Sequence, residues 1–218
     1  MGSQDARPQP YYQDDAVTIY HGDCREILPE LPHVDLVLTD PPYGIASVWK
    51  GGAGHGWGNA RMQSAVRNVW DDSPPTGEEI AAVVRHGADA VVWGGNYFSL
   101  PPTRGWLVWN KPERGFTLSE AELAWTTRDS VIRVFDANRS DVGREHPTQK
   151  PLFLMRWCLG FFPDAKTVLD PFMGGGTTLR AAKDLGRKAI GIEIEERYCE
   201  IAANRMGQEV LDLEPSRG

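Results

Sequence analysis

Short apolar runs rich in β-branched residues alternate with segments of helical period along this chain, and that alternation constrains the fold more than any other feature. Strands that hand over to helices and back again build a mostly parallel sheet with helices packed on it. Ala16–Tyr20 reads as a short strand, and Cys24–Leu31 as a helix that Pro32 ends. Val34–Thr39 (VDLVLT) reads as a buried strand, Glu78–His86 as a helix and Ala88–Trp93 as a strand stopping at Gly94-Gly95. Trp106–Asn110 and Glu122–Thr127 are predicted strands, with Ser130–Phe135 as a further candidate. The C-terminal part predicts a helix over Pro151–Phe162, a strand over Thr167–Leu169 and a helix from Thr177 to Leu185. A strand over Lys188–Ile194 and a helix over Glu195–Met206 complete the pattern.

The 218 residues suffice for one α/β domain with a full core and are too few for two. The expected organisation is a flexible tail over 1–15, a single domain over 16–206 and a frayed tail over 207–218. Residues 46–72 hold five glycines and three tryptophans without a clear period, and read as a mobile loop. No run of 18 apolar residues exists, which predicts no membrane helix. The polar start MGSQDARPQPYYQDD has no apolar stretch of the kind a secretory signal needs. Cys24, Cys158 and Cys199 lack any CxxC spacing, which points to a reducing cytoplasm and away from disulfides or a zinc site.

Four motifs carry chemistry. The first is Asp40-Pro41-Pro42-Tyr43, directly after VDLVLT. In open α/β sheets, ligands bind beyond the carboxyl ends of strands. An exocyclic amino nitrogen on adenine or cytosine is a poor nucleophile, because its lone pair is delocalised into the ring. A carboxylate from Asp40 and the Pro41 carbonyl, aimed at its two N–H groups, would favour attack on a methyl group. The prolines fix φ and leave no local N–H to compete. Tyr43 offers a flat face to a base taken out of a duplex. Alone, an Asp-Pro pair is an ordinary turn; the aromatic after a buried strand sets this one apart.

The second motif is Asp170-Pro171-Phe172-Met173-Gly174-Gly175-Gly176-Thr177-Thr178, between a strand and a helix. Glycines admit a ligand close to the backbone, and a helix start offers N–H donors to a carboxylate. Glu193 ends the next strand, 17 residues after Gly176, where an acid can accept both hydroxyls of a ribose. No GK[ST] follows, so a phosphate loop is disfavoured, while NAD remains a rival for this element in isolation. The third motif is His146-Pro147-Thr148-Gln149-Lys150-Pro151, whose lysine suits the carboxylate of an amino-acid-like ligand; a polar helix-entry turn is the plainer reading. The fourth is Gly22-Asp23, where Asp23 either accepts from an adenine amino group or caps the next helix.

Taken together and in this order, DPPY, HPTQKP and FMGGGTT resemble the DNA amino-methyltransferases of the permuted β class. The resemblance spans roughly residues 16–206 and implies a Rossmann-like, seven-stranded methyltransferase sheet, S-adenosylmethionine as donor, base flipping, and double-stranded DNA as partner. It implies that Asp40, Pro41, Pro42 and Tyr43 hold the target base. It places Asp23, Lys150, Asp170, Pro171, Phe172, Gly174, Gly176, Thr177, Thr178 and Glu193 around the cofactor. WGGNYF, WLVWNK and SEAELAWTT look like the phage or prophage branch. Larger relatives carry a long recognition region between DPPY and HPTQKP. Here about 100 residues separate them, leaving 46–72 and 136–145 to read bases. The expected target is therefore short, or a homodimer enlarges the reading surface.

The formal charge of −7 runs against a DNA partner, which usually meets a basic footprint. Residues 46–70 are the exception, with Lys50, Arg61 and Arg67 and no acid. Asp as the first residue of the DPPY motif leans toward adenine N6 in this family. Cytosine N4 methylation is the nearest rival. RNA or protein glutamine methylation, and a silent DNA-binding protein of the same fold, are weaker ones.

Overall fold

The computed structural model describes residues 8–43, 74–112, 119–138 and 150–208. The third motif falls outside these except for Lys150 and Pro151, as do the loop 46–72 and most of 136–145.

The described residues build one mixed sheet of nine strands. In chain order these are β1 Tyr12–Gln13, β2 Val17–His21, β3 Val34–Thr39, β4 Gly87–Trp93, β5 Trp106–Asn110, β6 Ala121–Thr126, β7 Arg133–Asp136, β8 Thr167–Asp170 and β9 Lys188–Glu193. Across the sheet they run β1-β2-β9-β8-β3-β4-β6-β5-β7. The five strands from β2 to β4 are mutually parallel. Beyond β4, β6 turns antiparallel, β5 runs antiparallel to β6, and β7 lies parallel to β5.

The α/β architecture is the expected one, but nine strands replace the expected seven. The two short edge strands account for the difference. β1 lies within the stretch expected to be a flexible tail. The Asp14 carboxylate accepts from the backbone N–H groups of Ala16 and Val17, at 2.8 and 2.7 Å, and folds Tyr12–Gln13 back antiparallel on β2.

Among the described residues five α-helices flank the sheet: α1 Cys24–Ile27, α2 Gly77–Arg85, α3 Leu152–Gly160, α4 Thr177–Asp184 and α5 Glu196–Gly207. α1 is shorter than the predicted Cys24–Leu31. Pro29 has no N–H to continue the ladder, so Leu28–Glu30 tightens into a 3₁₀ turn. Thr76 and Glu79 close a reciprocal capping box at the start of α2.

The central strands are buried on both faces, as parallel strands between helices must be. Leu36, Leu38, Val91 and Trp93 pack with α3, α4 and α5 through Leu154, Leu159, Leu179 and Ala202. Val37, Ala90, Val92 and Leu169 face the other way, with Ile27 of α1 and Val83 of α2. The chain moves outward from β3 to β4 on one side and from β8 to β9 on the other, so the strand order reverses between the neighbours β3 and β8. In such sheets the crevice at that reversal is where ligands bind.

Candidate active site

Both principal motifs sit at this crevice. Asp40 follows the last residue of β3, and the glycine turn follows β8. The Thr39 hydroxyl donates to Asp170 Oδ1 at 2.7 Å, tying the two strand ends together. Asp170 is buried, and its carboxylate also accepts from Phe172 N–H at 3.2 Å and from the Thr178 hydroxyl. Burial pushes its carboxyl up to about 6 against those hydrogen bonds, with Asp40 nearby adding to the rise. Asp170 and Thr178, expected at the cofactor, are therefore engaged with protein partners beneath the turn. Thr177 is buried as well, and its hydroxyl meets the Arg205 guanidinium at 3.1 Å.

Gly174 and Gly176 both adopt positive φ, +51° and +76°. Their surroundings differ. A Cβ on Gly176 would press on Ala202 of α5, so this glycine lets helix and turn pack closely. A Cβ on Gly174 would meet nothing within 4 Å, so this part of the backbone stands open. Glu193 closes the turn from β9. It accepts from Gly174 N–H at 3.0 Å and from Glu195 N–H at 2.8 Å. Burial raises its carboxyl above the ordinary value, against those backbone hydrogen bonds.

Asp23 lies beyond β2, whose end pairs with that of β9: His21 stands opposite Glu193. Its side chain caps α1, accepting from Arg25 N–H at 2.9 Å, and pairs with the Arg25 guanidinium. The capping reading of Asp23 thus describes its local contacts.

The DPPY segment takes part in a partly buried ionic cluster. Lys150 Nζ lies 2.6 Å from Asp40 Oδ2 and 3.0 Å from Glu122 Oε2. It also approaches the Tyr43 hydroxyl at 3.3 Å, and that hydroxyl donates to Asp40 Oδ1. The other Glu122 oxygen pairs with Lys111. Burial opposes the charge on Lys150, but Asp40 and Glu122 outweigh it and hold the ammonium well above its ordinary range. Burial likewise opposes ionisation of Glu122, yet Lys150 and Lys111 bring it down to about 2. Lys150 was expected at the cofactor; the structure sets it against the carboxylate of Asp40.

Tyr43 is fixed by contacts just beyond β4. Its ring stacks on Tyr97, with centroids 5.0 Å apart and planes 21° from parallel, and meets the Phe98 ring edge-on. Gly94, at φ +65°, leaves room for the ring, which any Cβ there would overlap. Burial and the nearby Asp40 charge keep the phenol well above its usual range.

Glu122, Lys111, Tyr97 and Gly94 were not assigned to the site from the sequence. The available signal was a charge set among apolar strand residues in WLVWNK and AELAW. The topology explains their place. β6 is antiparallel to β4, so its first residues reach the edge where the parallel strands deliver their last. β5 runs back along β6, with Trp109 opposite Glu122, and brings Lys111 to the same edge.

Comparison with known proteins bears on the fold and the family. The Type II methyltransferase M.ScaI of Streptomyces caespitosus is 26% identical, over 94% of this chain and 86% of that protein. M2.DpnII of Streptococcus pneumoniae, also a Type II methyltransferase, is 26% identical over 92% of this chain and 93% of its own length. Among solved structures, the M1.HpyAVI–SAM complex superposes with a TM-score of 0.57 at 23% identity, covering 88% of this chain and all of that one. The cytosine-N4-specific PvuII DNA methyltransferase gives 0.58 at 15% identity, over 93% of this chain and 90% of that one. These two likenesses show the shared fold. Residues 59–204 match the N6/N4 DNA methylase family, a stretch that holds Lys150, the glycine turn and Glu193 and begins after Asp40–Tyr43. The chain belongs to the DNA methylase family.

Proposed function

We propose that this protein transfers a methyl group from S-adenosylmethionine to the N6 amino group of an adenine flipped out of double-stranded DNA. The observation that carries the reading is the position of the Asp40 carboxylate. It stands at the strand reversal, held by Lys150 at 2.6 Å, with the open glycine turn on the neighbouring strand.

The residues beyond β8 and β9 fit the cofactor. Gly174 leaves an uncovered stretch of backbone, and Glu193, fixed by two backbone N–H groups, keeps acceptor capacity for ribose hydroxyls. Phe172, Gly174 and Glu193 are the residues assigned to hold it, with Asp23 at the neighbouring strand end. When bound, S-adenosylmethionine supplies an electrophilic methyl group on a sulfonium. Asp40 and the Pro41 carbonyl accept from the two N–H groups of the base, orient its nitrogen and raise its electron density. A nitrogen that gains a methyl group must shed one proton, and Asp40 is the acceptor aimed at it. Tyr43 offers its ring to the flipped base. The cytoplasm is the proposed compartment, and a homodimer the form that would enlarge the reading surface. Among the described residues, no helix is long and apolar enough to cross a membrane.

Transfer of a labelled methyl group to DNA, followed by nucleoside analysis, tests the reading. N6-methyladenine is the expected product, and N4-methylcytosine would move the assignment to cytosine. Asp40→Ala is expected to abolish transfer while S-adenosylmethionine binding, read by calorimetry, stays near the wild-type value. Wild-type turnover in that variant would remove Asp40 from the mechanism.

A further inference from the structure

The ionic cluster extends well beyond Asp40. Four charges alternate in a line, Lys111, Glu122, Lys150 and Asp40. Both lysines are buried, at 5% and 6% exposure. Indole rings flank them: Lys111 Nζ lies 4.5 Å from the Trp109 ring centroid and Lys150 Nζ 5.5 Å from that of Trp93. A buried ionic line is a weak source of stability, since desolvation offsets most of the attraction. It does fix geometry. Asp40, Glu122 and Tyr43 each offer Lys150 Nζ an acceptor oxygen, at 2.6, 3.0 and 3.3 Å, so its three N–H groups are accounted for. Each Glu122 oxygen has a lysine of its own. Asp40 follows β3, whereas Glu122 arrives from β6 on the antiparallel arm of the sheet.

We infer that Glu122 is a positioning residue for the methyl-transfer step, holding Lys150 and through it the carboxylate of Asp40, with Lys111 anchoring its second oxygen. The inference rests on the proposed role of Asp40. Glu122→Gln removes one of the two carboxylates that hold Lys150 and frees the ammonium, and with it the Asp40 carboxylate, to shift. That shift acts on the reacting geometry and leaves the cofactor turn alone.

Single-turnover methyl transfer at saturating DNA and S-adenosylmethionine, with separate affinities for each, tests this. Glu122→Gln should slow the chemical step by about 10²-fold, the scale of a misplaced reacting group, with both affinities within about threefold of wild type. The conservative variant Glu122→Asp keeps the carboxylate and should recover part of that loss. A single variant transferring within about threefold of the wild-type rate overturns the inference. So does a loss that merely follows weakened cofactor or DNA binding, or a lowered melting temperature, because that is a structural role. A Glu122→Asp variant no faster than Glu122→Gln overturns the inference as well. Should wild-type protein transfer no methyl group to DNA, the proposed function fails, which is a distinct outcome.

Discussion

Single residues in this protein divide into those that face the crevice and those that brace it. Asp170 belongs to the second group, and its carboxyl shows what bracing costs. Its ordinary value of 3.8 rises to about 6 on burial, so the folded protein holds a proton there more tightly than the unfolded chain does. A raised carboxyl contributes stability that is fully present below about pH 4 and is lost as pH rises through 6. The difference amounts to ~3 kcal/mol at neutral pH. Asp170→Asn keeps an acceptor for Thr39 and Phe172 and removes the buried charge. It should match wild type in urea midpoint near pH 3 and exceed it above pH 7, by at most ~3 kcal/mol. A variant that is less stable than wild type at pH 8 would show that the ionised carboxylate is worth more to its three donors than burial takes away.

Elements explain why part of the site was legible and part was not. The strand VDLVLT running into Asp40-Pro41-Pro42-Tyr43, and TVLD running into the glycine turn, each keep strand, loop and chemistry within about ten consecutive residues, where pattern and turn residues agree. Glu193 was legible for the same reason, as the acid ending KAIGIE. Glu122 and Lys111 were not. Their pairing depends on two strands running antiparallel in a fixed register, and no local pattern states which strand neighbours which. Pro29 was a missed local signal, and α1 is shorter for it. The glycine turn supports the next prediction. Glu193 holds Gly174 and Glu195 by their N–H groups and is the assigned acceptor for ribose hydroxyls. Glu193→Ala should weaken S-adenosylmethionine binding by about 1–3 kcal/mol, the usual penalty when donors lose their acceptor. Calorimetry reads it directly. NAD should show no measurable binding to wild type, and tight NAD binding without a response to S-adenosylmethionine would return the turn to the dinucleotide reading.

At the scale of the whole molecule, the difficulty is charge. A chain of net charge −7 must approach a polyanion, and long-range repulsion opposes that approach within a Debye length of about 8 Å at physiological salt. A local excess of positive charge has to outweigh it. The segment with the clearest excess is 46–70, where Lys50, Arg61 and Arg67 stand without a single acid. It begins three residues after Tyr43 in the chain, the residue assigned to the flipped base. Phosphate contacts release condensed counterions, and each contact adds about 0.9 to the slope of log affinity against log salt. Replacing Lys50, Arg61 and Arg67 together with Ala should therefore weaken DNA binding and flatten that slope by up to about 2.7. S-adenosylmethionine affinity should not change, because the cofactor turn comes from β8 and β9 at the other end of the chain. DNA titrations at several salt concentrations measure both quantities. An unchanged slope would mean that the duplex is held by other cations, and Arg128, Arg133, Arg139 and Arg144 are the next group to replace.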